Sequence, residues 1–132
     1  MNAAFADTSF YLALLDERDP SHELALAESQ VNRPLVTTEF IILELGDARR
    51  RASDHADFLA ILAGMRASPR TSIIALDSLL LQRGLDLFAS RPDKGWSLTG
   101  CTSFVVMRDK AILEALTADR HFEQAGFRAK LA

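Results

Sequence analysis

Three acidic residues, far apart in the chain, stand where carboxylates can do chemistry. Asp7 follows a short apolar run at residues 3–6, and Asp119 follows another at 113–118. In open α/β sheets, ligands bind beyond the carboxyl ends of the strands, so two aspartates at two strand ends can converge on one site. Each also reads as an N-cap for the helix after it. Glu44 lies within FIILEL at 40–45, where apolar neighbours predict a largely buried helix. A carboxylate there needs a partner: a basic side chain in a salt bridge, a set of hydrogen bonds, or a metal ion.

Carboxylates drawn from distant segments suit a hard divalent cation. Mg²⁺ prefers oxygen ligands, keeps several waters and usually takes one or two carboxylates directly. Further acids hold those waters from outside. Such a site can activate a water for attack on a phosphodiester and stabilise the departing oxygen.

The elements that must position these acids alternate along the chain. Strands are expected at 3–6, 35–37, 71–76 and within 113–118. Helices are expected at 8–16, from the Asp19–Pro20 pair to about 30, at 38–51, from Ser53 to about 67, and from Asp77 or Ser78 to about 90. Residues 91–95 read as a loop. A further helix reaches about 110, and a short one begins near Asp119. Asp77 is assigned to capping. The pattern predicts one domain over residues 1–132, an α/β helix–sheet–helix sandwich with a short, mainly parallel sheet.

Composition agrees with a soluble globular chain: 132 residues, 48% apolar and 25% charged, with 18 acids against 15 bases for a net charge of −3. That balance does not announce a nucleic-acid binder, but phosphates feel local patches rather than totals. The single cysteine, Cys101, excludes an internal disulfide and zinc-finger spacing. No signal peptide or membrane-length apolar run is evident, so the expected location is the cytoplasm.

Four segments together resemble the PIN-domain proteins, and most closely the VapC-type ribonuclease toxins of toxin–antitoxin pairs. They are FADTSFYLALL at 5–15, TTEFIILEL at 37–45, DKGWSLTGCTSFVVM at 93–107 and ALTADRHFEQAGF at 115–127. The resemblance implies a Mg²⁺- or Mn²⁺-dependent endoribonuclease with an RNA substrate, a cognate antitoxin and a homodimeric form. Asp7, Glu44 and Asp119 correspond to its catalytic, metal-binding acids. The family's remaining acid normally follows the SLT of the third segment, and here that position is Gly100. Glycine inside a helix is unfavourable by roughly 0.5–1 kcal/mol relative to alanine, and a first helical turn favours an acid. The vacancy motivates an alternative: a catalytically impaired module, by natural or introduced loss of one acid, that binds antitoxin or RNA without efficient cleavage. A small-phosphate hydrolase on a related scaffold would need a lysine or nucleophilic aspartate in a matching motif, and none is found.

Other residues have competing readings. Asp93 either faces the site or is an exposed loop acid. Thr8 either caps the first helix or contacts a bound water or phosphate; Ser97 and Thr99 read as caps. Arg49–Arg51 form the one run of three bases, a solvated helix end or an RNA groove. His121 is expected to orient the turn after Asp119, and Trp96 to pack beside the site rather than stack on a base.

Overall fold

The computed structural model describes all residues, Met1–Ala132. The four expected apolar runs form strands β1 (Ala4–Ala6), β2 (Leu35–Thr38), β3 (Thr71–Ile74) and β4 (Glu114–Leu116), and a fifth, β5 (Arg128–Ala129), joins them. The sheet order is β3-β2-β1-β4-β5, and every pairing is parallel rather than mainly so. The fifth strand has no local signature. It exists because Arg128 and Lys130 donate backbone bonds to Leu113 and Ala115 at 2.9 Å.

Helices connect the strands: α1 (Thr8–Leu15), α2 (His22–Ser29), α3 (Glu39–Ala48), α4 (His55–Ala67), α5 (Ser78–Ser90), α6 (Leu98–Asp109) and α7 (His121–Gln124). None is long and apolar enough to cross a membrane. Three begin on hydroxyl or carboxylate caps that accept a backbone N–H: Thr38 from Ile41, Asp77 from Leu80 and Ser97 from Gly100. Other boundaries differ from expectation. Asp19 accepts from the Ser21 N–H at 2.8 Å, so Asp19 and Pro20 form a turn ahead of α2. Ser53 lies in a 3₁₀ turn (Ala52–Asp54) instead of capping α4, and α3 stops before Arg50 and Arg51.

The expectation of a largely buried α3 also needs correction. Ile41 and Leu45 are fully buried, yet Leu43 is 55% exposed. Successive helical residues are turned by about 100°, so an unbroken apolar run cannot all face one core.

From β1 the chain winds outward through β2 to β3, then crosses back to β4 and β5 on the other side of β1. The reversal makes the β1/β4 boundary a switch point, where the carboxyl ends of the strands open a crevice. At the opposite end, the buried Arg33 ties the two strands together. It donates to Glu114 at 2.9 Å and to the backbone carbonyls of Asn2 and Ala3.

Helix α6 is the internal helix, buried continuously over residues 101–107. Phe104 packs edge-on against Trp96 and Phe122, with centroids at 5.1 and 4.9 Å. Close approach of α5 depends on Gly84. A Cβ there would lie 2.6 Å from Thr102 Cγ2 and 3.4 Å from the Thr102 backbone nitrogen. Thr102 cannot easily move, because its hydroxyl donates to the Thr99 carbonyl at 2.6 Å. Gly84→Ala is expected to destabilise the fold by about 1–3 kcal/mol in urea unfolding through overpacking. Adding Thr102→Ser, which deletes the clashing methyl, should recover much of that loss. A Gly84→Ala protein as stable as the parent would refute this packing account.

Candidate active site

The sheet register brings the site together. Ala6 pairs with Leu116 across the β1/β4 boundary, so Asp7 and Thr117 emerge side by side. The Asp7 N–H donates to the Leu116 carbonyl at 3.2 Å. Asp7 occupies the N-cap position of α1 but makes no side-chain capping bond. Its Oδ2 instead accepts from Thr117 Oγ1 at 2.7 Å. The capping reading of Asp7 is therefore set aside.

Asp119 lies two residues beyond Thr117, exposed, at the turn into α7. Its N–H donates to Thr117 Oγ1 at 3.0 Å, and its Oδ1 accepts from the His121 N–H at 2.9 Å. His121 Nδ1 stands 3.3 Å from the same oxygen. The turn-orienting role expected of His121 is present, but the N-cap of α7 is Arg120, so Asp119 holds the turn through the His121 N–H rather than capping the helix, and one of its carboxylate oxygens remains unengaged.

Glu44 reaches the site from α3. No basic side chain pairs with it; its Oε1 accepts a hydrogen bond from Thr8 Oγ1. The salt-bridge reading of Glu44 and the capping reading of Thr8 both give way to this contact. Helix α3 is carried there by its own cap, Thr38, and by Thr37, whose hydroxyl donates to the Ala6 carbonyl at 2.8 Å.

Asp7 feels the other two acids. The Asp7 carboxyl is pushed up from 3.8 to about 6, first by burial. Hydrogen bonds from Thr117 and the Thr8 backbone hold it down, while the negative charges of Glu44 and Asp119 push it further up. No Lys or Arg forms an ion pair with any of the three.

No three His, Cys, Asp or Glu side chains stand close enough to enclose a metal ion by themselves. The donor set nevertheless fits Mg²⁺, which takes one or two carboxylates and completes its shell with water. All the donors are oxygens, and no Lys or Arg pairs with them to offset the repulsion that Glu44 and Asp119 exert on Asp7.

Gly100 sits in the first turn of α6, its N–H bonded to the Ser97 hydroxyl at 2.9 Å. A Cβ added there would meet only that hydroxyl, at 3.0 Å, and the far edge of the Phe104 ring, at 3.8 Å. A side chain there needs the Ser97 hydroxyl to give by a few tenths of an ångström and is otherwise unobstructed.

The remaining candidates have structural partners. Asp93 is held by Arg91 through two bonds of 3.1 and 3.2 Å, in a 3₁₀ turn (Pro92–Lys94). Arg49 pairs with Asp54 at 3.5 Å, while Arg50 and Arg51 are exposed. Trp96 is buried, edge-on to Phe104 with Arg91 over its face at 5.5 Å, and so packs as expected. The sequence reading missed Thr117 and Ser9. Ser9 Oγ stands 3.1 Å from Thr117 Oγ1 and accepts from the Ala118 N–H at 3.0 Å. Their only sequence signal was a hydroxyl close to each aspartate.

No family model matches the chain. Among curated proteins it is similar to the 23S rRNA-specific endonuclease VapC20 from two strains of Mycobacterium tuberculosis. Identity is 29% over 124 residues, spanning 93% of this chain and 94% of the relative. Among solved structures it matches the crystal structure of Mycobacterium tuberculosis VapC20, described as a sarcin–ricin loop cleaving toxin. That match has a TM-score of 0.84 at 26% identity and spans 94% of this chain and 95% of the other.

Proposed function

We propose that the chain is a PIN-domain protein of the VapC ribonuclease-toxin family, a reading supported by its likeness to VapC20, and that it is a metal-dependent endoribonuclease acting through Asp7, Glu44 and Asp119. The observation that supports the site assignment is the approach of these acids at the switch point with no Lys or Arg paired to any of them. Mg²⁺ or Mn²⁺ is the ion of choice for such a donor set. Bound there, it would supply a more acidic water and charge stabilisation for the departing oxygen.

The chain's own residues divide the remaining work. Asp7, lodged between β1 and β4, offers the carboxylate oxygen that Thr117 leaves free. Asp119 holds a second oxygen open from the exposed turn, and Glu44, fixed by Thr8, closes the acidic cluster from α3. In this reading the attacking group is water, and no protein nucleophile is required.

RNA is the substrate class. The 23S rRNA cleaved by the similar VapC20 is the first molecule to test. A cognate antitoxin and a second copy of the chain are the protein partners this reading implies. Apolar side chains exposed on α2 and α4, Leu24, Leu26 and Leu59, give such partners a surface to cover.

Purified protein incubated with 23S rRNA should produce discrete cuts in Mg²⁺ or Mn²⁺ and none in excess chelator. Cleavage that persists undiminished in chelator would defeat the metal mechanism.

A further inference from the structure

We propose that Thr117 and Ser9 are positioning residues that lock Asp7 in its ligating orientation, through a hydroxyl relay whose direction is set by the backbone. The inference rests on the ribonuclease reading and assigns two residues that reading does not require.

A hydroxyl has one proton to donate and two lone pairs to accept with. Thr117 Oγ1 has three partners: the Asp119 N–H at 3.0 Å, Asp7 Oδ2 at 2.7 Å and Ser9 Oγ at 3.1 Å. The Asp119 N–H can only donate. The Asp7 carboxylate, ionised as cation binding requires, can only accept. Thr117 therefore gives its proton to Asp7, and its second lone pair must receive the Ser9 proton. Ser9 in turn accepts from the Ala118 N–H at 3.0 Å. Every capacity of the Thr117 hydroxyl is used, and the relay runs from Ala118 N–H through Ser9 and Thr117 to Asp7 Oδ2.

Three consequences follow from this geometry. Asp7 Oδ2 is committed, leaving Oδ1 as the oxygen no side chain engages. Asp7 and Asp119 share one hydroxyl, so the spacing between them is held by Thr117. Ser9, on the first turn of α1, ties that helix to the β4–α7 turn, so neither acid can drift without breaking the relay. Thr117 is fully buried, which removes competing water from its bonds.

The test compares Thr117→Val, Thr117→Ser and Ser9→Ala with the parent. Calorimetric titration with Mn²⁺ alone reads cation affinity, and steady-state cleavage of 23S rRNA reads kcat and KM. Thr117→Val keeps the side-chain shape but removes the hydroxyl. It should weaken Mn²⁺ binding by about tenfold or more, as loss of a group orienting a metal ligand does. The same variant should lower kcat with KM for RNA within about twofold. Thr117→Ser should restore affinity to within a few-fold of the parent, which a purely packing role for the Thr117 methyl would not allow. Ser9→Ala should give an intermediate, several-fold loss. Unchanged Mn²⁺ affinity in Thr117→Val and Ser9→Ala would overturn the proposal while leaving the ribonuclease reading intact. If Thr117→Val does not fold, Ser9→Ala decides: a loss supports the relay, and parental affinity overturns it. A parent that neither binds Mn²⁺ nor cleaves RNA would instead sink the underlying reading.

Discussion

Asp7→Asn is expected to reduce RNA cleavage by about a hundredfold or more, while making the metal-free protein more stable at neutral pH. The two effects have one cause. The Asp7 carboxyl, pushed up to about 6 by burial and by the charges of Glu44 and Asp119, is destabilising when ionised without a cation. The sign follows from linkage. A carboxyl whose folded-state pKa lies above its unfolded value favours the fold most where it is protonated. That contribution is complete below about 3.8 and is lost as pH rises toward and through about 6. Above that, the folded protein carries the whole penalty, on the order of 1–3 kcal/mol after allowance for partial exposure. Asparagine keeps the shape and still accepts from Thr117, but it has no charge to desolvate. Thermal melts in chelator should therefore show Asp7→Asn above the parent at pH 7.5, converging with it near pH 4. Mn²⁺ should raise the melting temperature of the parent and leave that of the variant nearly unchanged. A variant that cleaves RNA at the parental rate would remove Asp7 from the mechanism.

Gly100→Asp is expected to strengthen Mn²⁺ binding and raise cleavage at limiting metal, each on the order of tenfold. The change needs only a small shift of the Ser97 hydroxyl, since a new Cβ meets that oxygen at 3.0 Å and the edge of Phe104 at 3.8 Å. An acid three residues after a serine cap also sits at a favoured place on the helix, contributing roughly 0.3–1 kcal/mol through the free N–H groups of the first turn. Gly100→Ala is the control. It gains helix propensity without a carboxylate, so its stability should rise while metal affinity and cleavage stay at the parental level. Equal activity in the glycine, alanine and aspartate forms would show that Asp7, Glu44 and Asp119 are sufficient and that position 100 plays no part.

Much of the architecture was legible because it is local. The runs at 3–6, 35–37 and 71–76 are apolar or β-branched and bounded by turns, so their strand character needs no partner. Thr38, Asp77 and Ser97 accept N–H groups three residues away, and such caps can be read from a short window. The same local logic failed where a tertiary partner outbid it. Thr8 could cap α1, but Glu44 accepts its hydroxyl. Asp7 could cap the same helix, but Thr117 occupies its carboxylate. Strand β5 has no propensity of its own and forms against the backbone of β4.

By itself the sequence determined the alternation of strands and helices, the acids at strand ends, and the absence of a side chain at Gly100, because each is a property of one short segment. Only the tertiary structure decided which of those acids approach one another, what holds each one, and that the Thr117 and Ser9 hydroxyls bond beside them. The reason is register: Ala6 beside Leu116 sets Asp7 against Thr117 across a separation of 110 residues, and no periodicity within either segment encodes that pairing.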